Sequence, residues 1–285
     1  MEKNVLLSAK DLEVVFKVRD QELKAIRNVS VDIVEGETLA IVGESGSGKS
    51  VLTKTFTGMI DSNGRIAGGS IEFEGEDISK FKTDKQWEKI RGLKIATVFQ
   101  DPMTSLNPIR TIGSQIAEVI IKHQKKTKSE AKEMAIDLME KVGIVDAKNR
   151  FDEYPFQYSG GMRQRIVIAI ALACKPTILI CDEPTTALDV TIQAQILTLI
   201  KDLQRDFNFT TVYITHDLGV VASVADKVAV MYCGQIIEIG NVDEVFYDPR
   251  HPYTWSLLSS LPQLGEKGDR LYSIPGSPPS LFYHI

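Results

Sequence analysis

The octapeptide GESGSGKS, Gly43, Glu44, Ser45, Gly46, Ser47, Gly48, Lys49 and Ser50, fits the pattern G-x-x-x-x-G-K-[ST]. Its glycines permit positive φ and close backbone approach, so that successive N–H groups can converge on phosphate oxygens. In that reading Lys49 reaches the β- and γ-phosphates and Ser50 ligates Mg²⁺. Val51 continues into a helix whose positive N-terminal end adds to the anion site. A Gly/Ser-rich turn joining strand to helix has the same composition. The apolar strand before the loop and the helix after it select the phosphate reading.

Two further stretches could complete a phosphoryl-transfer site. In ILICDEP, Asp182 ends an apolar strand, where an open α/β sheet presents ligand-facing groups. It would hold Mg²⁺ through water, and Glu183 beside it is the candidate general base for an attacking water. A solvated strand end is the plain alternative, and pairing with a phosphate loop earlier in the chain favours catalysis. In YSGGMRQR, Ser159, Gly160 and Gly161 open an apolar helix, which makes a second phosphate-binding helix start. A capped core helix accounts for the Ile/Ala side of that segment but not for both glycines.

The elements that must carry these groups are legible from periodicity. LLSAKDLEVVFKV (6–18) and AIRNVSVDIVEG (25–36) read as strands divided by a polar turn, and TLAIVG (38–43) as a strand covered on both faces. SIEFEGEDI and KIATVFQ add strands, and from 111 to about 174 the period becomes helical. Met134, Ala135, Leu138, Met139 and Val142 share one helix face, with Thr127 and Glu130 placed for a capping box. TILICDE (177–183), TTVYITH and KVAVMYC are further short strands. Between them Ile192, Ile196, Leu199, Ile200 and Leu203 mark another helix. Alternating buried strands and helices imply an α/β core with a mainly parallel sheet. The Pro-rich segment after about Gly240 reads as a docked tail.

Composition narrows the partners. A hydrophobic content of 43% with 25% charged residues is that of an ordinary globular chain, and the longest apolar run, 166–174, is too short for a bilayer. The start MEKNVLL has no signal-peptide pattern, so a cytoplasmic location is expected. A formal charge of −5 gives no footprint for nucleic acid. Cys174, Cys181 and Cys233 are scattered, without a CxxC pair, and read as reduced packing residues.

The order and spacing of these motifs resemble the ATP-binding cassette (ABC) family over nearly the whole chain. The resemblance implies a P-loop NTPase core (1–100 and 176–240) with an N-terminal antiparallel β-subdomain, an inserted α-helical subdomain (101–175) and a C-terminal extension (241–285). It implies that Ser159–Gly161 close on the ATP of an opposite protomer in a head-to-tail dimer. Gln100 matches the loop glutamine that senses Mg²⁺ and the attacking water. The segment ALD (187–189) matches the loop crossing the dimer interface, with Asp189 as its acidic member. His216 matches the histidine at the γ-phosphate, and Phe16 stands where the family stacks a Tyr on adenine. The signature departs from Leu-Ser-Gly-Gly-Gln in having Tyr158 and Met162.

More finely, FQDPMTSLNP, SGGMRQRI, DEPTTALDVTIQAQI and the tail motifs DPRHPYTWSLLSSLP and IPGSPPSL resemble ATPase subunits of oligopeptide and dipeptide importers. Met162 points to the first of two unlike ATPases. This resemblance implies a second, unlike ATPase, two transmembrane permease subunits, an extracellular or periplasmic peptide-binding protein and a peripheral place on the cytoplasmic membrane face. Thr104, Leu106 and Asn107 would line the groove where the permeases dock. Many relatives continue into a cysteine cluster holding an iron–sulfur centre; with no cysteine after 233, none is expected here. The apolar ending LFYHI is compatible with a longer native chain.

The readings from other classes are a nickel or other solute importer, a DNA-repair or translation ABC ATPase, and a P-loop small-molecule kinase. The stretch between Gln100 and Ser159 is too short for the coiled coil of the repair enzymes. Translation cassettes usually come in pairs on one chain, and a kinase has no use for Ser-Gly-Gly.

Overall fold

The computed structural model describes residues 4–186, 188–260, 279, 281 and 282. Its contacts divide the chain into two compact units, one of residues 1–83 with 212–285 and one of residues 84–211. This division differs from that expected at residues 100, 175 and 240.

The first unit opens with strands β1 (Val5–Val18) and β2 (Gln21–Val34). β3 (Thr38–Val42) and helix α1 (Lys49–Phe56) come next, then β4 (Gly64–Phe73) and the short β5 (Glu76–Asp77). β1, β2, β4 and β5 make an antiparallel sheet in the order β2-β1-β4-β5. Leu7, Ala9, Leu12 and Val14 of β1 are buried, and exposed Lys10 and Glu13 fall between them. That irregular alternation follows the bulges between Ala9 and Val14 in the β1–β2 pairing. β3 is buried at all five positions. Residues without an exposed face suit a strand covered on both sides, each large aliphatic side chain contributing roughly 1.5–3 kcal/mol.

The second unit holds α2 (Asp84–Trp87), β6 (Ile95–Val98), α3 (Pro102–Ser105), α4 (Ile112–Gln124), α5 (Lys128–Lys141), α6 (Ala147–Arg150), α7 (Gly160–Leu172), β7 (Ile178–Asp182) and α8 (Val190–Phe207). β6 and β7 pair in parallel, Val98 opposite Cys181. The capping box of α5 forms: Thr127 Oγ1 accepts from Glu130 N, and the Glu130 carboxylate accepts from Thr127 N. These bonds hold the Glu130 carboxyl down at about 2. Ala135, Leu138, Met139 and Val142 are buried along the face the spacing anticipates, with Met134 at its margin.

β8 (Thr210–Thr215) leads back to the first unit, which continues with α9 (Leu218–Val224), β9 (Lys227–Tyr232), β10 (Gln235–Asn241), α10 (Val242–Tyr247) and α11 (Pro252–Ser259). β9 pairs in parallel with β3 and antiparallel with β10, making a mixed sheet. The segment after Gly240 holds more structure than its Pro content suggests: Val245, Tyr253 and Leu258 are buried, and the Leu281 carbonyl accepts from Lys24 N on β2. Ala187 and most of the tail motif IPGSPPSL lie outside the described residues. Among the described residues no helix is long and apolar enough to cross a membrane.

Candidate functional site

The loop after β3 begins at Gly43 (φ +150°), where an added Cβ would lie 2.1 Å from the Met231 carbonyl oxygen at the end of β9. It ends at Gly48 (φ +105°), the N-cap of α1, where a Cβ would lie 2.8 Å from the Ala25 carbonyl. Both positions combine a left-handed backbone with no room for a side chain, which only glycine satisfies. The Lys49 side chain is buried and folds back over the loop, its ammonium donating to the carbonyls of Gly43 (2.7 Å) and Glu44 (2.8 Å). Glu44, Ser45, Gly46 and Ser47 thus form a turn whose open side is bounded by a cation and by the first turn of α1, which carries Ser50 and Val51. Ser47 is buried and its hydroxyl has no hydrogen-bond partner among the described residues. The Gly234 N–H donates to the Ser47 carbonyl (2.9 Å), tying the loop to the β9–β10 turn.

In the second unit the parallel pairing of β6 and β7 brings their ends side by side. Gln100 stands two residues beyond Val98 and Glu183 two beyond Cys181, the paired positions. Gln100 Nε2 donates to Glu183 Oε2 (3.1 Å), and Thr186 Oγ1 donates to the same oxygen (3.0 Å). Glu183 has φ +47°, a conformation uncommon outside glycine that turns the chain sharply off the strand. Asp182, immediately before it, is the half-buried last residue of β7. Burial and the neighbouring Asp182 charge push the Cys181 thiol upward, so it stays a neutral core residue.

Ser159 caps α7, its Oγ accepting from Met162 N (3.4 Å). The two glycines that follow differ in their reason. A Cβ on Gly161 would meet Ile192 Cγ2 of α8 at 2.7 Å, so helix packing alone excludes a side chain there. A Cβ on Gly160 would meet Leu188 at an ordinary 3.7 Å, so among the described residues no contact requires glycine at that position. Tyr158 is buried under the Arg150 guanidinium, its hydroxyl donating to the Arg150 carbonyl (2.8 Å); burial pushes its pKa up to about 12. Asp189 caps α8, its Oδ1 accepting from Ile192 N (3.0 Å).

His216 is exposed directly after β8, beside Asp217, which caps α9. Phe16 is half-buried on β1, where it faces Leu23 of β2 and Gly64 of β4. A Cβ on Gly64 would lie 2.6 Å from the Phe16 ring, so the ring covers that glycine closely. Two roles then separate by measurement. If Phe16 stacks on adenine, Phe16→Ala weakens ATP binding by roughly 1–3 kcal/mol. A loss of thermal stability with unchanged ATP affinity would confine the ring to strand packing.

Thr104 and Asn107 are exposed, whereas Leu106 is buried, so its side chain cannot meet a docking partner. The second unit has a groove of about 640 Å³ elsewhere, with Ala117, Ile121 and Phe151 in its lining beside the cations Arg110, Lys122 and Lys132. Sequence reasoning missed it.

Comparison with known proteins agrees with the geometry. A family profile described as "ABC transporter" matches residues 26–186, and one described as "Oligopeptide/dipeptide transporter, C-terminal region" matches residues 237–283. The chain is 73% identical over 281 residues to the oligopeptide transport ATP-binding protein AmiE of Streptococcus pneumoniae, covering 99% of this chain and 79% of the relative. It is 56% identical to the dipeptide transport ATP-binding protein DppD of Lactococcus lactis, with 99% and 80% covered. Among solved structures it is similar to a dimeric ATP-binding cassette in a post-hydrolysis state bound to ADP and Pi. That match has TM-score 0.73 and 27% identity, covering 83% of this chain and 98% of the other. A Clostridium perfringens protein of the ABC transporter complex cbiONQ matches with TM-score 0.74 and 28% identity, covering 86% and 92%.

Proposed function

The chain belongs to the ABC transporter ATPase family, and we propose that it binds ATP on Gly43–Ser50 and hydrolyses it with Glu183 to power import of oligopeptides or dipeptides. The observation that carries the hydrolytic role is the Glu183 carboxylate, fixed by Gln100 and Thr186 directly after Asp182. The match of residues 237–283 to the peptide-transporter C-terminal region, with the names of the relatives, supports the substrate class.

Phosphoryl transfer to water needs little covalent work from a protein; it needs position and charge. Backbone N–H groups of the loop and the Lys49 ammonium take the phosphate oxygens, exchanging the loop carbonyls that Lys49 holds here for the nucleotide. Glu183 accepts a proton from the attacking water, and the Gln100 and Thr186 bonds hold its carboxylate in one orientation. His216 meets the γ-phosphate. Ser50, Gln100 and Asp182 offer a hydroxyl, an amide oxygen and a carboxylate, the hard donors that Mg²⁺ takes together with substrate phosphates. Held by these groups, Mg²⁺ would supply positive charge to offset that of the phosphate oxygens.

Transmembrane permease subunits and a peptide-binding protein are the partners of such an importer. We assign the α4–α5 groove, apolar with a cationic rim, to the permeases, and infer from the importer reading a peripheral place for this chain on the cytoplasmic face of the membrane. The second ATPase is an unlike subunit whose site Ser159, Gly160 and Asp189 complete. At Gly160 no contact among the described residues calls for glycine, which supports a role in that contact. No iron–sulfur cluster is proposed in this chain, its three cysteines being dispersed.

The direct test of the loop is Lys49→Ala. Removing the cation aimed at the β- and γ-phosphates should cause a clear loss of ATP affinity by calorimetry with Mg²⁺ present. Wild-type affinity would reject the loop as the nucleotide site.

A further inference from the structure

We propose that Tyr253, in the segment after Gly240, is a positioning residue for the phosphate-binding loop. It acts by accepting the Glu44 backbone N–H. The inference rests on the loop's holding ATP as described above.

A phosphate loop works only while its backbone keeps one conformation, because the N–H groups are the ligands. Lys49 and the β9–β10 turn hold the loop from two sides. Tyr253 holds a third point: its hydroxyl oxygen lies 3.3 Å from Glu44 N, the first residue after Gly43. The tyrosine is 8% exposed and its ring lies on that of Tyr232, with centroids 4.4 Å apart and planes inclined by 40°. Tyr232 is the last residue of β9, one beyond Met231, whose carbonyl excludes a side chain at Gly43. Burial pushes the Tyr253 hydroxyl up to about 12, which keeps it neutral and leaves its oxygen able to accept.

The helix that carries Tyr253 is itself pinned to the mixed sheet. The Glu238 carboxylate of β10 accepts the N–H groups of Arg250 (2.7 Å) and His251 (3.0 Å). His251 Nδ1 then accepts Tyr253 N–H (3.0 Å), capping α11. A continuous set of bonds and ring contacts therefore runs from β10 through His251 and Tyr253 to Glu44. Packing alone would need the ring and not the hydroxyl, and the two are separable.

Tyr253→Phe keeps the ring on Tyr232 and removes only the acceptor. In the assembled transporter it should raise the KM for ATP about three- to tenfold, the range of one net hydrogen bond, with kcat and Tm close to wild type. Trp255→Ala, an exposed position on the same helix, should leave KM unchanged. Hydrogen exchange should find the Glu44 amide protected in the unsubstituted protein and faster in Tyr253→Phe. A KM in Tyr253→Phe equal to wild type, an equal rise in Trp255→Ala, or an unprotected Glu44 amide would each overturn the proposal. Lys49→Ala measured alongside separates the two levels: if it lowers ATP affinity while Tyr253→Phe does not, only the role of Tyr253 falls. If Lys49→Ala keeps wild-type affinity, the loop assignment falls and this inference with it.

Discussion

Glu183→Gln should lower ATP turnover in the assembled transporter by about 10²–10⁴-fold, the usual contribution of a positioned base. The change is isosteric, and the side-chain oxygen that remains can still accept from Gln100 and Thr186. The loop at Gly43–Ser50 is untouched, so ATP binding should persist. What is lost is the carboxylate that accepts the proton from water. ATP-bound dimers should accumulate, visible as a stable larger species by size-exclusion chromatography with ATP. Unchanged steady-state hydrolysis would remove Glu183 from the mechanism and leave its contacts as a folded strand end.

Ser159→Arg should abolish hydrolysis at the partner's loop while this chain's own loop still binds nucleotide. Ser159 is exposed just before α7, and a Cβ on neighbouring Gly160 would meet the described residues only at an ordinary 3.7 Å. An arginine there fills the face offered to the opposite protomer and removes the hydroxyl cap. Loss of an N-cap costs about 0.5–2 kcal/mol, which a folded domain tolerates, so the expected failure is catalytic. The chain alone should bind ATP, stay mostly monomeric and hydrolyse slowly. Adding the second ATPase and the permeases should raise turnover strongly. Full activity of a complex carrying Ser159→Arg would mean that the signature does not complete a site.

Much of this was legible in the sequence, for identifiable reasons. The loop Gly43–Ser50 announces itself because its glycines answer to steric demands that no other residue meets, at Gly43 and Gly48 in particular. β3 and β7 are readable because strands without an exposed face have near-continuous apolar sequence. The capping box at Thr127 and Glu130 is a local interaction, and local rules find it.

What the sequence hid depended on distant contacts. The pairing of Gln100 with Glu183 follows from the register of β6 on β7, which neither segment specifies alone. Gly161 reads as part of a phosphate signature, yet Ile192 of α8 also forbids a side chain there. Leu106, which the family resemblance put in the docking groove, is buried instead. α11 was obscured by the prolines around it, although Pro252 stands at the first helical turn, a position that tolerates proline.

The central claim is that ATP hydrolysis by this chain drives peptide import, and peptide uptake into proteoliposomes is the measurement that meets it most directly. The vesicles would contain the full chain, the second ATPase and the permeases, with the peptide-binding protein on the opposite side. With ATP and Mg²⁺ on the side of this chain, labelled peptide should accumulate, and the Glu183→Gln complex should bind ATP and accumulate none. Accumulation that continues at the wild-type rate in the Glu183→Gln complex, or without ATP, would contradict the account.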